Sequence, residues 1–378
     1  MLSRRMVLGA AGSGLVLAGC GNLFRAEKLP DPRAPWAATG EPDQDPRLAA
    51  FADAILAPNP HNRQPWLIRL DGDDEASIFC DLDRRLPMTD PFDRQIVIGF
   101  GCFLEQARIA ASARGLALEI LPFPEGAPGE TDRLDSRPIA RLAFRSAPGR
   151  APDPLGAHIR ARRTTKEPFD PERPVDAGAL AALAADPLLT TSAQPALLQR
   201  LSALAVSALR VETQTRRTHM ESVELMRIGS REIAANPDGI ALAGPVIEGL
   251  AAVGLITRDT LAANSNFAVR QGMAATEATY GSFPAALWVV TDGNSRADQL
   301  DAGAAYVRAN LLATARGLAM HPQSQALQEY PEMAAHLADV HGLLGVAAPA
   351  RIQMLARLGH GPDVPPAPRW PLETRITA

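Results

Sequence analysis

The pattern of apolar and polar residues predicts a chain that mixes helices with short strands. Apolar residues at helical spacing predict helices at 48–56, 101–115, 177–185, 196–234 and 301–316. Short apolar runs predict strands at 66–70, 77–82, 118–121, 286–291 and 351–358. The last twenty residues, from Gly359 onward, are rich in proline and predict an extended tail.

One stretch of the chain occurs twice. Residues 101–116, GCFLEQARIAASARGL, align without gaps to residues 303–318, GAAYVRANLLATARGL, and seven of the sixteen positions are identical. Each copy predicts a helix of small residues that ends at a glycine and leads into a strand. Two interpretations are open: a duplication that gives halves at 47–150 and 151–378, or a chance match of alanine-rich helices. The turn-rich stretch 145–154 is typical of a joint between halves.

The first twenty residues resemble a twin-arginine export signal. Ser3-Arg4-Arg5 is followed by Met6–Gly19, which is uncharged and too short to span a bilayer permanently. Leu17-Ala18-Gly19-Cys20 resembles a lipobox and predicts lipidation of Cys20; the alternative is an ordinary signal peptide with a chance cysteine. Residues 21–46 then predict a tether. We expect a lipoprotein anchored to the membrane on the periplasmic or cell-surface side.

Charge and cysteine content narrow the classes of partner and compartment. The 378 residues carry a net charge of -4, and removing residues 1–19 takes away two arginines and no acid, which gives -6. No basic stripe with interleaved aromatic residues occurs, which argues against a nucleic-acid partner. An oxidising compartment permits a disulfide between Cys80 and Cys102, but their positions in a strand and a helix favour two buried free thiols.

The stretch PNPHNRQPW, residues 58–66, holds more hydrogen-bonding side chains than a turn requires. Asn62 and Gln64 can each donate and accept, and the prolines limit the entropy that is lost on binding. The loop is therefore a candidate binding segment. The alternative is a structural turn that delivers Trp66 to the core.

A second candidate is RARRTTKEPFD, residues 160–170. If this segment is extended, Arg162, Thr164 and Lys166 share one face and present a guanidinium, a hydroxyl and an ammonium, which suit a phosphate. The alternative is a solvated basic helix end. Lys166 favours a specific role, because the chain has only two lysines and the other, Lys28, lies in the tether.

These motifs resemble those of the nitroreductase family. RRTTKEPFD is similar to its flavin-phosphate motif, and PNPHNRQPW is similar to its Pro-Ser-x-x-Asn-x-Gln-Pro-Trp loop, although His61 takes the place of serine. GHGPDVPPAPRW resembles the closing stretch of the family, with Arg369 as its basic residue. In ordinary members the phosphate motif precedes the loop, and two subunits share each flavin. Here the order is reversed, as in the long single-chain branch of the family.

The resemblance implies an α+β fold: a single-chain pseudo-dimer of two related halves, with antiparallel or mixed sheets around a helical core. It implies one FMN bound between the halves, with no homodimer required for binding. Cofactor contacts are expected from Pro60, His61, Asn62, Gln64, Arg162, Thr164, Lys166, Gln323, Ser324 and Arg369. A plain connection after the strand is the alternative for Gln323 and Ser324. A decayed second copy of the loop is expected at 190–197.

The expected function is an FMN-dependent oxidoreductase that reduces a small nitro, quinone or related acceptor. The flavin would perform the chemistry, so no side chain is assigned a catalytic role, and no metal site is predicted from the spacing of ligands. Export leaves a quinol or a redox protein as the donor. The alternatives are a flavin-sequestering protein with little turnover and a membrane-anchored scaffold lipoprotein with a vestigial site.

Overall fold

The computed structural model describes residues 29–38 and 45–377. The helices are α1 Pro46–Ala54, α2 Arg94–Ser112, α3 Ala177–Leu183, α4 Pro195–Gln214, α5 Arg216–Leu225, α6 Gly229–Ala235, α7 Pro245–Ala252, α8 Arg258–Ala263, α9 Phe267–Tyr280, α10 Arg296–Ala315 and α11 Ala334–Leu344. The strands are β1 Trp66–Asp71, β2 Glu75–Cys80, β3 Leu116–Pro122, β4 Ala140–Ser146, β5 Leu189–Ser192, β6 Met226–Ile228, β7 Ile240–Leu242, β8 Ala285–Thr291, β9 Ala319–Pro322, β10 Arg351–Gly359 and β11 Ile376–Thr377. The fold is α+β, as predicted.

The two main sheets have the same strand order. The first runs β1-β2-β4-β3 and the second β5-β8-β10-β9, with neighbouring strands antiparallel in both. In each sheet a long helix, α2 or α10, connects the second strand of the order to the fourth. The C-terminal strand β11 pairs with β1 in parallel and so joins the end of the chain to the first sheet. Two halves with the same strand order therefore share one chain.

Helices α2 and α10 cross in the core with their main chains in contact. A Cβ atom added to Gly303 would collide with the Ile98 carbonyl and lie 2.8 Å from the Gly101 Cα. A Cβ atom on Gly101 would likewise collide with the Leu300 carbonyl. The Cys102 thiol donates to the Gly303 carbonyl across the same crossing at 3.2 Å. The two glycines that match in the sequence repeat thus lie against each other, as a pseudo-two-fold axis between the helices requires.

The second half contains a helical segment that the first half lacks. Between β5 and β8 the chain forms α4–α9 and the β6-β7 pair, whereas a turn at 72–74 connects the corresponding β1 and β2. The single helix predicted at 196–234 is wrong: extended backbone at Thr215 ends α4, and strand β6 separates α5 from α6, which begins at left-handed Gly229. The predicted second loop at 190–197 is also wrong, because these residues enter β5 and α4.

Part of the predicted tether packs on the body. Trp36 is buried, and its indole N–H donates to the Ala367 carbonyl at 2.7 Å. This position buries the apolar ring and also supplies an acceptor for its one polar group. The signal at 1–20 and most of the tether lie outside the described residues. In the described part of the chain, no helix has both the length and the apolar character needed to cross a membrane. Cys80 and Cys102 are buried free thiols, as favoured from the sequence.

Candidate functional site

The loop at 58–66 has an unusual backbone. His61, Asn62 and Gln64 have φ angles of 47°, 53° and 51°, a left-handed conformation that costs free energy in residues other than glycine. The side chain of Asn59 stabilises the turn by accepting from the Gln64 amide at 2.7 Å. The loop ends at Trp66, which is fully buried and stacks on a core phenylalanine. It therefore does deliver Trp66 to the core, yet its strain exceeds what an ordinary turn needs.

The amide side chains of the loop bind to distant parts of the chain. Asn62 donates to the Pro368 carbonyl at 3.0 Å, while Gln64 donates to the Pro237 carbonyl at 2.8 Å and accepts from the Trp370 amide at 2.9 Å. The sequence interpretation assigned these amides to the cofactor. In the structure they join the loop to the C-terminal tail and to the helical segment, because those two segments supply main-chain groups that must be paired.

Two of the predicted phosphate ligands, Arg162 and Arg369, meet at the Leu56 carbonyl, just before this loop. Arg162 and Arg369 are buried, both donate to the Leu56 carbonyl, at 3.0 and 3.1 Å, and both face the Trp36 ring. Arg369 also donates to the side chain of Asn62, and its other donors bond to carbonyls. Arg162 keeps two buried donors, Nε and Nη1, without a partner. Neither guanidinium has a carboxylate within ion-pair distance among the described residues, so the interior holds uncompensated positive charge.

The predicted alternation of the basic segment does not hold. Arg162 and Thr165 are buried, Thr164 is half-buried and Lys166 is exposed, so the three predicted residues do not share one face. The reason is a main-chain contact: the Thr165 amide donates to the Met320 carbonyl at the end of the second sheet, at 3.2 Å. Lys166 is consequently the most exposed cation of the motif.

We call the space around Lys166, which is near His61 of the first half and His321 of the second, the cleft. Although solvent reaches Lys166, the surrounding protein lowers the pKa of its ammonium by desolvation. Burial lowers the pKa of His61, in the first half, to about 4, and the charge of Lys166 adds to this shift. Burial also lowers the pKa of His321, in the second half, and the charges of Arg357 and Lys166 lower it further. Lys166 is therefore near a neutral histidine on each side.

The stretch after β9 lines the second half of this cleft. The Gln323 amide donates to the Leu355 carbonyl at 2.7 Å, its side-chain nitrogen is 3.2 Å from His321 Nδ1, and its Oε1 is buried without a partner. Ser324 is half-buried, with Oγ 4.0 Å from the Met354 sulfur. Gln323 thus has an unused polar atom, while Ser324 has only this weak contact.

Sequence reasoning missed a polar cluster that the helical segment contributes. The Tyr280 ring meets His321 edge-on, with centroids 5.3 Å apart, and its hydroxyl accepts from Gln325 at 3.3 Å. Buried Glu212 accepts from Gln328 at 3.0 Å. Burial raises the pKa of Glu212 to about 7 and that of Tyr280 to about 12. No local motif marks these residues, since α4, α9 and the stretch after β9 bring them together.

Glu212→Gln is expected to flatten the pH dependence of stability between about pH 4.5 and about pH 7. With its pKa raised from 4.5 to about 7, native Glu212 keeps a proton that the unfolded chain releases, so stability falls as the pH rises through this window. Buried Asp90, whose pKa is also raised to about 7, acts in the same direction and remains in the variant. Urea unfolding at pH 5 and pH 7 checks this, and an equal loss of stability in both proteins would contradict it.

A separate cavity of about 270 Å³ lies where α3 packs against α10. Its lining is mainly apolar, from residues that include Leu155, Leu183, Leu189 and Leu312, and Arg308 also borders it. It contains none of the predicted site residues. The candidate site is therefore the cleft around Lys166.

Comparison with known proteins supplies relatives that extend over most of the chain. A protein of Mycobacterium tuberculosis with the provisional name NAD(P)H nitroreductase is 27% identical over 359 residues, which cover 88% of this chain and 93% of the relative. A solved structure provisionally named a nitroreductase, from Anabaena variabilis, has a TM-score of 0.44 at 10% identity and covers 90% of this chain and 93% of its own.

A second solved structure, the FMN-dependent nitroreductase NfnB from Mycobacterium smegmatis, has a TM-score of 0.31 at 19% identity and covers 53% of this chain and 84% of its own. No family model matches the chain. At TM-scores of 0.31 and 0.44 the two solved structures resemble this chain only loosely. The relatives found by sequence are therefore the stronger comparison. Over most of its length the chain is thus similar in sequence to proteins that carry a provisional nitroreductase name.

Proposed function

We propose that this chain is an FMN-dependent oxidoreductase of the nitroreductase type that reduces a small nitro, quinone or related acceptor. One observation carries the proposal. Arg162 and Arg369 lie buried with no carboxylate partner among the described residues, and Lys166 stands in the adjoining cleft. Buried charge of one sign is costly unless a counter-charge compensates it, and the phosphate of a bound cofactor would do so.

The polar atoms of the cleft fit such a group. Lys166 would bind the phosphate, and the buried guanidinium groups of Arg162 and Arg369 would add positive electrostatic potential. His61 Nδ1 and Gln323 Oε1 have no hydrogen-bond partner in the protein, which leaves each of these side chains with a polar atom to be paired once the flavin is bound. Asn62 and Gln64 would hold the loop rather than the ring. When bound, FMN supplies hydride or electron transfer, and the protein binds it, orients it and excludes water.

The electron donor depends on where the chain resides. The M. tuberculosis relative is named as an NAD(P)H enzyme. For this chain we propose export through the twin-arginine signal and a lipid anchor at Cys20, which would make a quinol or a redox protein the donor. Cys20→Ala should release the mature protein from the membrane fraction into the soluble fraction. Retention of the variant in the membrane would contradict the anchor.

We also propose that the two halves arose by tandem duplication and kept one cofactor site. The repeat at 101–116 and 303–318, the shared strand order and the paired glycines of α2 and α10 support this. Only the first half has the strained loop, and only the second has the Arg162–Lys166 segment. The chain then needs no homodimer to bind flavin.

The absorption spectrum of the purified protein tests the function. A bound yellow chromophore should bleach with reductant and reoxidise on addition of a quinone or nitroaromatic compound. A bound flavin that reoxidises no faster with these acceptors than without them would favour flavin sequestration instead. A colourless protein that does not bind added FMN would leave only the scaffold.

A further inference from the structure

We infer that His321 is a fixed hydrogen-bond donor of the cleft, whose Nε2–H binds an atom of a group that gains negative charge when that group is reduced. The acceptor atom belongs either to the bound flavin ring or to the substrate, and both sources share the same chemistry: a carbonyl, ring-nitrogen or nitro acceptor. This inference rests on the proposed function, but the state of the imidazole can be measured without the cofactor.

Hydrogen bonds fix the tautomer of His321. Its Nδ1 lies 3.0 Å from Arg357 Nε and 3.2 Å from the side-chain nitrogen of Gln323. A guanidinium can only donate, so Nδ1 must carry the lone pair that accepts. In a neutral imidazole the proton is then on Nε2. Arg357 therefore determines which nitrogen of His321 is the donor.

The surroundings keep this imidazole neutral. His321 is 2% exposed, and burial together with the positive charges of Arg357 and Lys166 holds its pKa well below the ordinary value. The Tyr280 ring packs against its edge and is itself neutral, because burial raises the pKa of the phenol to about 12. Among the described residues, no carboxylate forms an ion pair with His321. Protonation would place a third cation beside Arg357 and Lys166, so His321 remains a neutral donor.

The donor nitrogen is free for a ligand. His321 Nε2 has no hydrogen-bond partner among the described residues, and unlike His61 Nδ1 it is not enclosed by protein. Arg357 is itself held firmly: it donates to the Glu167 carbonyl at 2.7 Å and lies 3.8 Å from the centre of the Phe169 ring. Arg357 is thus a positioning residue for His321.

This arrangement suits developing negative charge. A donor whose direction is set before the reaction stabilises charge without reorganisation, and a neutral N–H does so without giving up its proton. Lys166 adds a cation on the same side of the cleft. We therefore expect acceptors with a carbonyl or nitro oxygen to be reduced, and cationic acceptors to be disfavoured.

The kinetic test compares His321→Phe, which removes the donor, with His321→Gln, which restores an N–H. With p-benzoquinone as the probe, His321→Phe should lower kcat at least tenfold at unchanged flavin content, and His321→Gln should recover part of the loss. If the donor binds the flavin, the reduction potential of the bound flavin also falls in His321→Phe. If it binds the substrate, the potential is unchanged. His336→Phe, on α11, is the control and should leave both quantities unchanged.

Nitrogen NMR of the histidines gives a readout that needs no turnover. His321 should carry its proton on Nε2 and show no titration from pH 5 to pH 8, and Arg357→Met should restore titration to His321 or mix its tautomers. A proton on Nδ1, or titration of His321 in the wild type, would overturn the inference whether or not the chain binds flavin. In flavin-loaded His321→Phe, unchanged rate and potential would overturn it as well.

Discussion

Gly303→Ala is expected to lower the free energy of unfolding by about 3 kcal/mol or more. The added methyl group would collide with the Ile98 carbonyl and lie 2.8 Å from both the Cys102 amide nitrogen and the Gly101 Cα. All of these are main-chain atoms of α2, so no side chain can rotate away to make room. The two central helices would have to separate, and every core contact between the halves would loosen with them.

Urea unfolding of Gly303→Ala and of a matched control measures this effect. Gly272 lies within helix α9 and has no atom near the position of an added Cβ. Gly272→Ala should therefore be neutral or stabilising by up to about 1 kcal/mol, because alanine favours a helix over glycine. If Gly303→Ala unfolds at the same urea concentration as the wild type, the close crossing of α2 and α10 is wrong.

Lys166→Met is expected to weaken FMN binding roughly thirtyfold, which corresponds to a loss of about 2 kcal/mol. Methionine keeps most of the length of the side chain but removes the charge that would pair with the phosphate. Because Lys166 is solvent-accessible, has no ion-pair partner among the described residues and sits in a cleft, its loss should leave the fold intact. Fluorescence titration of the apoprotein with FMN measures the affinity.

Two further variants make this result specific. Lys166→Arg keeps the positive charge and should recover much of the affinity, although its geometry differs. Arg173→Met removes an exposed cation seven residues away and should leave binding unchanged. An affinity of Lys166→Met equal to that of the wild type would remove Lys166 from the site, as would a loss of the same size in Arg173→Met.

Much of the fold could be predicted because its signals are local. Helical spacing and a terminal glycine at 101–116 predicted α2 and the strand β3, and the same signals at 303–318 predicted α10. The start of α2 at Arg94 was missed, since the preceding residues are charged and turn-rich and the helix begins after Asp93 in a left-handed conformation. Strand β4 was also missed, although Ala140, Leu142 and Phe144 alternate with more polar positions as in a half-buried strand.

The site was predictable in outline but not in its contacts. The loop at 58–66 and the segment at 160–170 are local motifs, and the structure brings Arg162 near this loop through the Leu56 carbonyl. The partners of Asn62 and Gln64 lie about 170 to 310 residues away, so no local pattern could reveal that these amides bond to protein. The inward direction of Arg162 likewise depends on Trp36, a residue that composition assigned to a tether.

We propose that the two halves form a single cofactor site around Lys166. A crystal structure of the chain with FMN, together with the amount of flavin released per chain on denaturation, tests this most directly. We expect one flavin per chain, with the phosphate at Lys166 and the ring between His61 and His321. Two flavins per chain, or a phosphate bound away from Lys166, would contradict it.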